Sequence, residues 1–216
     1  MNTGTSKGVL VGSILLGLAA CEDFAALDLA GATTGENLAL TNATLAGGTI
    51  KLVPPPGFCV DKRSLRQSFA LMARCDTLGG RLTTDAPLAL ITATTVEVTG
   101  AAQISTSDFE GSSEQVLQRR DDDDLALVQV RGTPPSDDMR DTYWRAAARV
   151  GNQVVGLALY EPSGAGALGD TAPSLLARTV KDTQEQSVIA LVAAQDNSAT
   201  AAPKETRGGF LAGLFE

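Results

Sequence analysis

The chain has 216 residues, enough for one domain of ordinary size with room for a linker or tail. It is 44% hydrophobic but only 4% aromatic, so its core must rest on Ala, Val, Leu and Ile, and recognition by ring stacking is disfavoured. A formal charge of −8 repels phosphate backbones and argues against nucleic acid as a partner, and the lack of histidine removes the usual general base and commonest metal ligand.

Met1 to Lys7 is short and polar with one positive charge, and Gly8 to Ala20 is an uncharged stretch built around Val9, Leu10, Val11, Ile14, Leu15, Leu16 and Leu18. An apolar run this short falls below the ~20 residues that a helix needs to cross the hydrocarbon core, and it reads as the h-region of an export signal. It ends in Leu18-Ala19-Ala20-Cys21, which resembles the lipobox of bacterial lipoproteins. The resemblance implies that residues 1–20 are a signal peptide and that Cys21 becomes the lipidated first residue of the mature chain. It also implies that the body faces the periplasm from the inner or outer membrane of a bacterial envelope. Two or three acyl chains anchor stably where one does not, each buried methylene contributing roughly 0.8 kcal/mol.

Three cysteines would leave an odd thiol in an exported protein, whereas committing Cys21 to lipid leaves Cys59 and Cys75 as a pair. In an oxidising compartment these are expected to form a disulfide staple stabilising the fold by roughly 3 kcal/mol, with two buried free thiols as the alternative. Their spacing is far from Cys-x-x-Cys, which disfavours a redox role.

Residues 21–36 are rich in Ala, Gly and Thr without a sustained period and suit a tether. Residues 37–194 carry the predicted domain. Gly48 to Val53 reads as a strand halted by Pro54-Pro55-Pro56-Gly57, because proline cannot donate to a ladder. Phe58-Cys59-Val60 resumes the chain, Asp61 caps a short helix over Lys62 to Gln67, and Phe69 to Cys75 reads as a strand. After the break at Gly79-Gly80, Leu88 to Val98 alternates with period two, placing Leu88, Leu90, Val96 and Val98 together as the apolar face. Ser112 to Arg120 reads as a helical turn or two, and Leu125 to Arg131 as a strand closed by Thr133-Pro134-Pro135. Tyr143 to Val150 and Gln153 to Tyr160, joined by Gly151-Asn152, form the clearest unit, a hairpin with Gln153, Val155, Leu157 and Leu159 on one face. Thr171 and Pro173 open a helix through Leu175, Leu176 and Val180 toward Val188 and Leu191. Residues 195–216 form a predicted flexible tail ending in an apolar peptide, whose Phe210, Leu211, Leu214 and Phe215 suit docking on a partner groove or a membrane surface.

This order predicts an α+β fold, a mainly antiparallel sheet with a C-terminal helix packed across it. The segment Pro55 to Asp61, the hairpin at Gly151-Asn152 and the terminal helix resemble envelope proteins of alphaproteobacteria, and the order of elements is similar to the sheet-and-helix folds of photosystem P-type and Mog1-like proteins. No catalytic motif comes with that likeness.

Asp121, Asp122, Asp123 and Asp124 are the candidate ligands for a hard cation such as Ca²⁺, although they lack the alternate spacing and glycine of an EF-hand and suit a solvated loop better. Trp144 suits a core anchor better than a binding surface. Nucleophile elbows, Ser-x-x-Lys pairs and phosphate-binding glycine loops are absent from the sequence. The expectation is a non-enzymatic envelope lipoprotein without a cofactor, held to the membrane by its N-terminal lipid and binding an envelope protein partner as accessory or scaffold. The alternatives are a ligand- or calcium-binding sensor using the acidic run, and a histidine-free hydrolase.

Overall fold

Period-two alternation dominates the chain, and the computed structural model turns it almost entirely into strands. It describes residues 37–200 except 82–83, 100–103, 110–113 and 123, with side chains described as far as residue 190. The predicted signal peptide, Cys21, the tether and the apolar peptide carrying Phe210, Leu211, Leu214 and Phe215 lie outside the described residues.

In chain order the strands are β1 (Ala39–Leu40), β2 (Ala43–Leu45), β3 (Ile50–Leu52), β4 (Phe58–Asp61), β5 (Phe69–Arg74) and β6 (Leu90–Glu97). They continue with β7 (Gln115–Asp122), β8 (Leu125–Arg131), β9 (Thr142–Val150) and β10 (Gln153–Tyr160), and helix α1 (Thr171–Thr200) follows. One 8-stranded sheet runs β1-β4-β5-β6-β10-β9-β8-β7 with every neighbour antiparallel, and β2 and β3 form a separate ribbon. The fold is α+β, a large antiparallel sheet with a C-terminal helix packed on it, as the sequence predicts.

The β9–β10 hairpin shows the logic of the sheet. Gly151 takes φ 62°, the left-handed conformation that a two-residue turn demands, and sets Val150 opposite Gln153 and Leu157 opposite Ala146. Alternation then puts Trp144, Ala146, Ala148 and Val150 of β9 on one face with Val155, Leu157 and Leu159 of β10, all buried. Alanine at 146 and 148 leaves room for the helix, whose Ala172, Leu176 and Val180 seat in the same core.

Beside the helix lies the β2–β3 ribbon, whose Leu45, Ile50 and Leu52 pack into that core with Val60, Met72 and Ile91. The outer edge of β3 meets α1 through hydroxyls. Ser187 Oγ accepts the Lys51 N–H at 2.9 Å and Thr183 Oγ1 accepts the Val53 N–H at 3.1 Å. Thr179, Thr183 and Ser187 recur every fourth residue, and each is fully buried. Back-bonding to the preceding turn satisfies two of these hydroxyls, Ser187 to the Thr183 carbonyl at 2.6 Å and Thr179 to that of Leu175 at 2.8 Å.

Several elements differ from the sequence reading. Of the stretch expected to be helical, Ser112 to Arg120, the residues from Gln115 onward lie in strand β7, since pairing with β8 from Gln115↔Arg131 to Asp122↔Leu125 outweighs local helix propensity. In β6 the buried face is Ile91, Ala93 and Thr95, whereas Val96 is 62% and Leu88 48% exposed. The expected apolar face is therefore the outer one, except at Leu90. Asp61 does cap, accepting the Arg63 N–H at 2.9 Å, but the turn it starts is a 3₁₀ turn over Lys62–Ser64. Cys75 opens a second 3₁₀ turn, Cys75–Leu78, just past β5. The helix runs on to Thr200, six residues into the stretch assigned to a tail, with alanines such as Ala193 and Ala194 supporting it. No helix among the described residues is long and apolar enough to cross a membrane.

Candidate functional site

The predicted staple is present. Cys59 in β4 and Cys75 are bonded, with a Cα–Cα distance of 4.9 Å. Both sulfurs sit in a small apolar cluster with Leu71, Leu78, Leu90 and Met139 on the sheet face opposite the helix. The preceding turn is tight. Gly57 takes φ 82°, and a Cβ there would lie 2.5 Å from that of Ala86, so no other residue fits without displacement.

That opposite face is covered unevenly. The disulfide cluster protects one part, and Val128, Val130 and Tyr143 with Phe109, Val116 and Tyr160 form a second cluster. Between them, small or short side chains of β6, β9 and β10 (Thr92, Thr94, Ala147, Gly156, Val154) are partly or fully exposed.

A polar cluster closes the second apolar group. Tyr143 Oη donates to one carboxylate oxygen of Glu114, and Arg145 Nη1 donates to the other. The Arg145 guanidinium stands 5.3 Å from the centroid of the Phe109 ring, and the Tyr143 and Tyr160 rings are tilted with centroids 4.6 Å apart. Burial and the hydrogen bond to the Glu114 carboxylate push the Tyr143 phenol far above its ordinary pKa, and burial also raises Tyr160. Sequence reading missed this cluster, although Tyr143 and Arg145, two apart on one strand, do share a face.

The acidic run does not converge. Asp121 points to the face opposite the helix, where its two oxygens accept the Thr106 N–H at 2.9 Å and hydroxyl at 2.8 Å. Asp122 points to the helix face and, with Asp124, lines an open cleft of about 530 Å³ against Arg178, Lys181 and Gln184. Consecutive strand residues face opposite ways, so Asp121 and Asp122 cannot ligate one ion, and Asp123 lies outside the described residues. Among the described residues no group of three acidic or cysteine side chains is placed to hold a metal. Trp144 is a core residue, 3% exposed, with the Arg120 guanidinium 5.2 Å from its ring centroid.

Other protected carboxylates have structural partners. Asp61 binds Arg63 at 2.9 Å, and Glu161 accepts the Leu168 N–H at 2.9 Å with Arg140 3.8 Å away. No protein-family model and no curated protein matches the chain.

Proposed function

We propose that this chain is a bacterial envelope lipoprotein, anchored through acylated Cys21 and carrying a non-enzymatic α+β domain that binds a protein partner as accessory or scaffold. The observation that carries the reading is the Cys59–Cys75 disulfide. It uses the two cysteines other than the lipobox residue, and such a bond suits an oxidising compartment outside the cytoplasm. A binding role is supported by the carboxylates Asp61, Asp121, Glu114 and Glu161, each committed to a hydrogen bond or ion pair inside the fold. It is also supported by apolar side chains left outside, with Val188 58% and Ile189 59% exposed side by side on α1.

Metabolic labelling with an alkynyl palmitate tests the anchor. The expected result is label on the unaltered chain in the membrane fraction, lost on Cys21→Ala. An unlabelled chain in cells that label their other lipoproteins overturns the reading.

A further inference from the structure

Of the sheet's two margins, one is blunted and one is not. β1 spans only Ala39–Leu40, whereas β7 spans Gln115–Asp122, is exposed along nearly its whole length, and has no strand beyond it among the described residues. A long open edge presents a row of backbone donors and acceptors able to pair with another strand. Charged side chains usually discourage such pairing. Here the sequence Gln118-Arg119-Arg120-Asp121-Asp122, two cations followed by two anions, lets the edge pair with a copy of itself through opposite charges.

The connection to β8 sets which groups point outward. Asp122 lies opposite Leu125 across a two-residue link, the geometry of a hydrogen-bonded pair, so antiparallel alternation turns the N–H and C=O of Asp121 and Arg119 away from β8. Two copies related by a twofold axis through the sheet keep the same faces up, so only residues on the same face come opposite one another. Arg119 and Asp121 share the face away from the helix, opposite Val128 and Ala126 of β8.

We propose that β7 is the seam of an antiparallel homodimer, with the twofold axis at Arg120 joining two eight-stranded sheets into one. Arg119 of each copy then lies opposite Asp121 of the other, in pairs that also exchange the outward backbone hydrogen bonds. The Asp121 oxygens that hold Thr106 retain lone pairs for this contact, and a guanidinium carries donors enough to keep its other interactions. Arg120 meets Arg120 at the axis, but each guanidinium is drawn aside to Asp170 at 2.9 Å and over Trp144. Neighbouring registers compete less well for different reasons. An axis at Asp121 sets Arg120 opposite Asp122 and Arg119 opposite Asp123, but it brings the two Asp121 carboxylates face to face at the centre and draws on an Arg120 guanidinium already held by Asp170 and Trp144. An axis at Arg119 sets two guanidiniums together and Leu117 against Asp121.

Cysteine crosslinking of the full chain carrying Cys21→Ser tests the seam. Adding Arg120→Cys puts two thiols about 4.5 Å apart between Cα atoms across the axis, within disulfide range. Adding Gln118→Cys instead separates them by roughly 14 Å along the strands. The expected result is an oxidised dimer with the first and not the second. Sedimentation equilibrium supplies a second measurement that does not depend on the cysteine variants. The Cys21→Ser chain should self-associate, and Arg119→Glu should weaken that association about tenfold or more, because two attractive pairs become repulsive. Equal crosslinking at 118 and 120, a monomer at all concentrations, or association indifferent to Arg119→Glu each overturns the proposal.

Discussion

Tyr143 and Thr183 are buried for opposite reasons, and their substitutions read differently. Tyr143 keeps its proton because burial and the Glu114 carboxylate both disfavour phenolate, so its pKa in the folded chain lies above the ordinary value of 10.0. A raised pKa contributes stability that is intact below pH 10 and declines as alkali ionises the unfolded chain first. Tyr143→Phe should therefore cost about 1–2 kcal/mol at neutral pH and flatten the loss of stability above pH 10, measured by urea unfolding across that range. Tyr160, also raised, retains part of the slope. Thr183→Val keeps the shape of the side chain but leaves the Val53 N–H without its acceptor. The expected loss is about 1–3 kcal/mol, seen as a lower urea midpoint with an unchanged m-value. Neither role was legible beforehand. A tyrosine in a strand does not name its partner, and the hydroxyls of Thr183 and Ser187 do not name the distant strand edge they will meet.

Among the elements, the β9–β10 hairpin was the most readable because Gly151-Asn152 permits positive φ and alternation on both sides leaves one register. Strand β8 was equally plain. The misreading of β7 has a physical cause. Its Gln, Leu and Arg residues are good helix formers, and an edge strand exposed on most of its length lacks the apolar alternation that marks a paired one. In β6 the alternation was real but its sign was ambiguous, since Ile91 and Ala93 on the buried face are no larger than Leu88 and Val96 on the other. The staple between β4 and the turn just past β5 was readable from cysteine count, and its effect belongs to this scale because it closes a loop with a sequence separation of 16. Reducing it, or replacing both cysteines with serine, should lower unfolding free energy by roughly 3 kcal/mol, measured by denaturant unfolding with and without dithiothreitol.

For the molecule as a whole, composition foretold an aliphatic, aromatic-poor core, and the order of predicted elements foretold the class of fold. It did not foretell that the layer over the sheet is shared between a helix and a two-stranded ribbon, because that partition depends on contacts between residues some 130 positions apart, such as Thr183 with Val53. The predicted sites met mixed fortunes for the same reason. The cysteine pair needed only a count, whereas Asp121 and Asp122 were adjacent in sequence and divided in space by the pleat. The hydroxyl contacts between helix and ribbon carry one more implication. Serine and threonine there do the work of a missing neighbouring strand, so the ribbon is finished only when the last long element of the chain has been made. Until Thr183 and Ser187 have been synthesised, the Lys51 and Val53 N–H groups lack these acceptors, and the ribbon's outer margin stays unsealed.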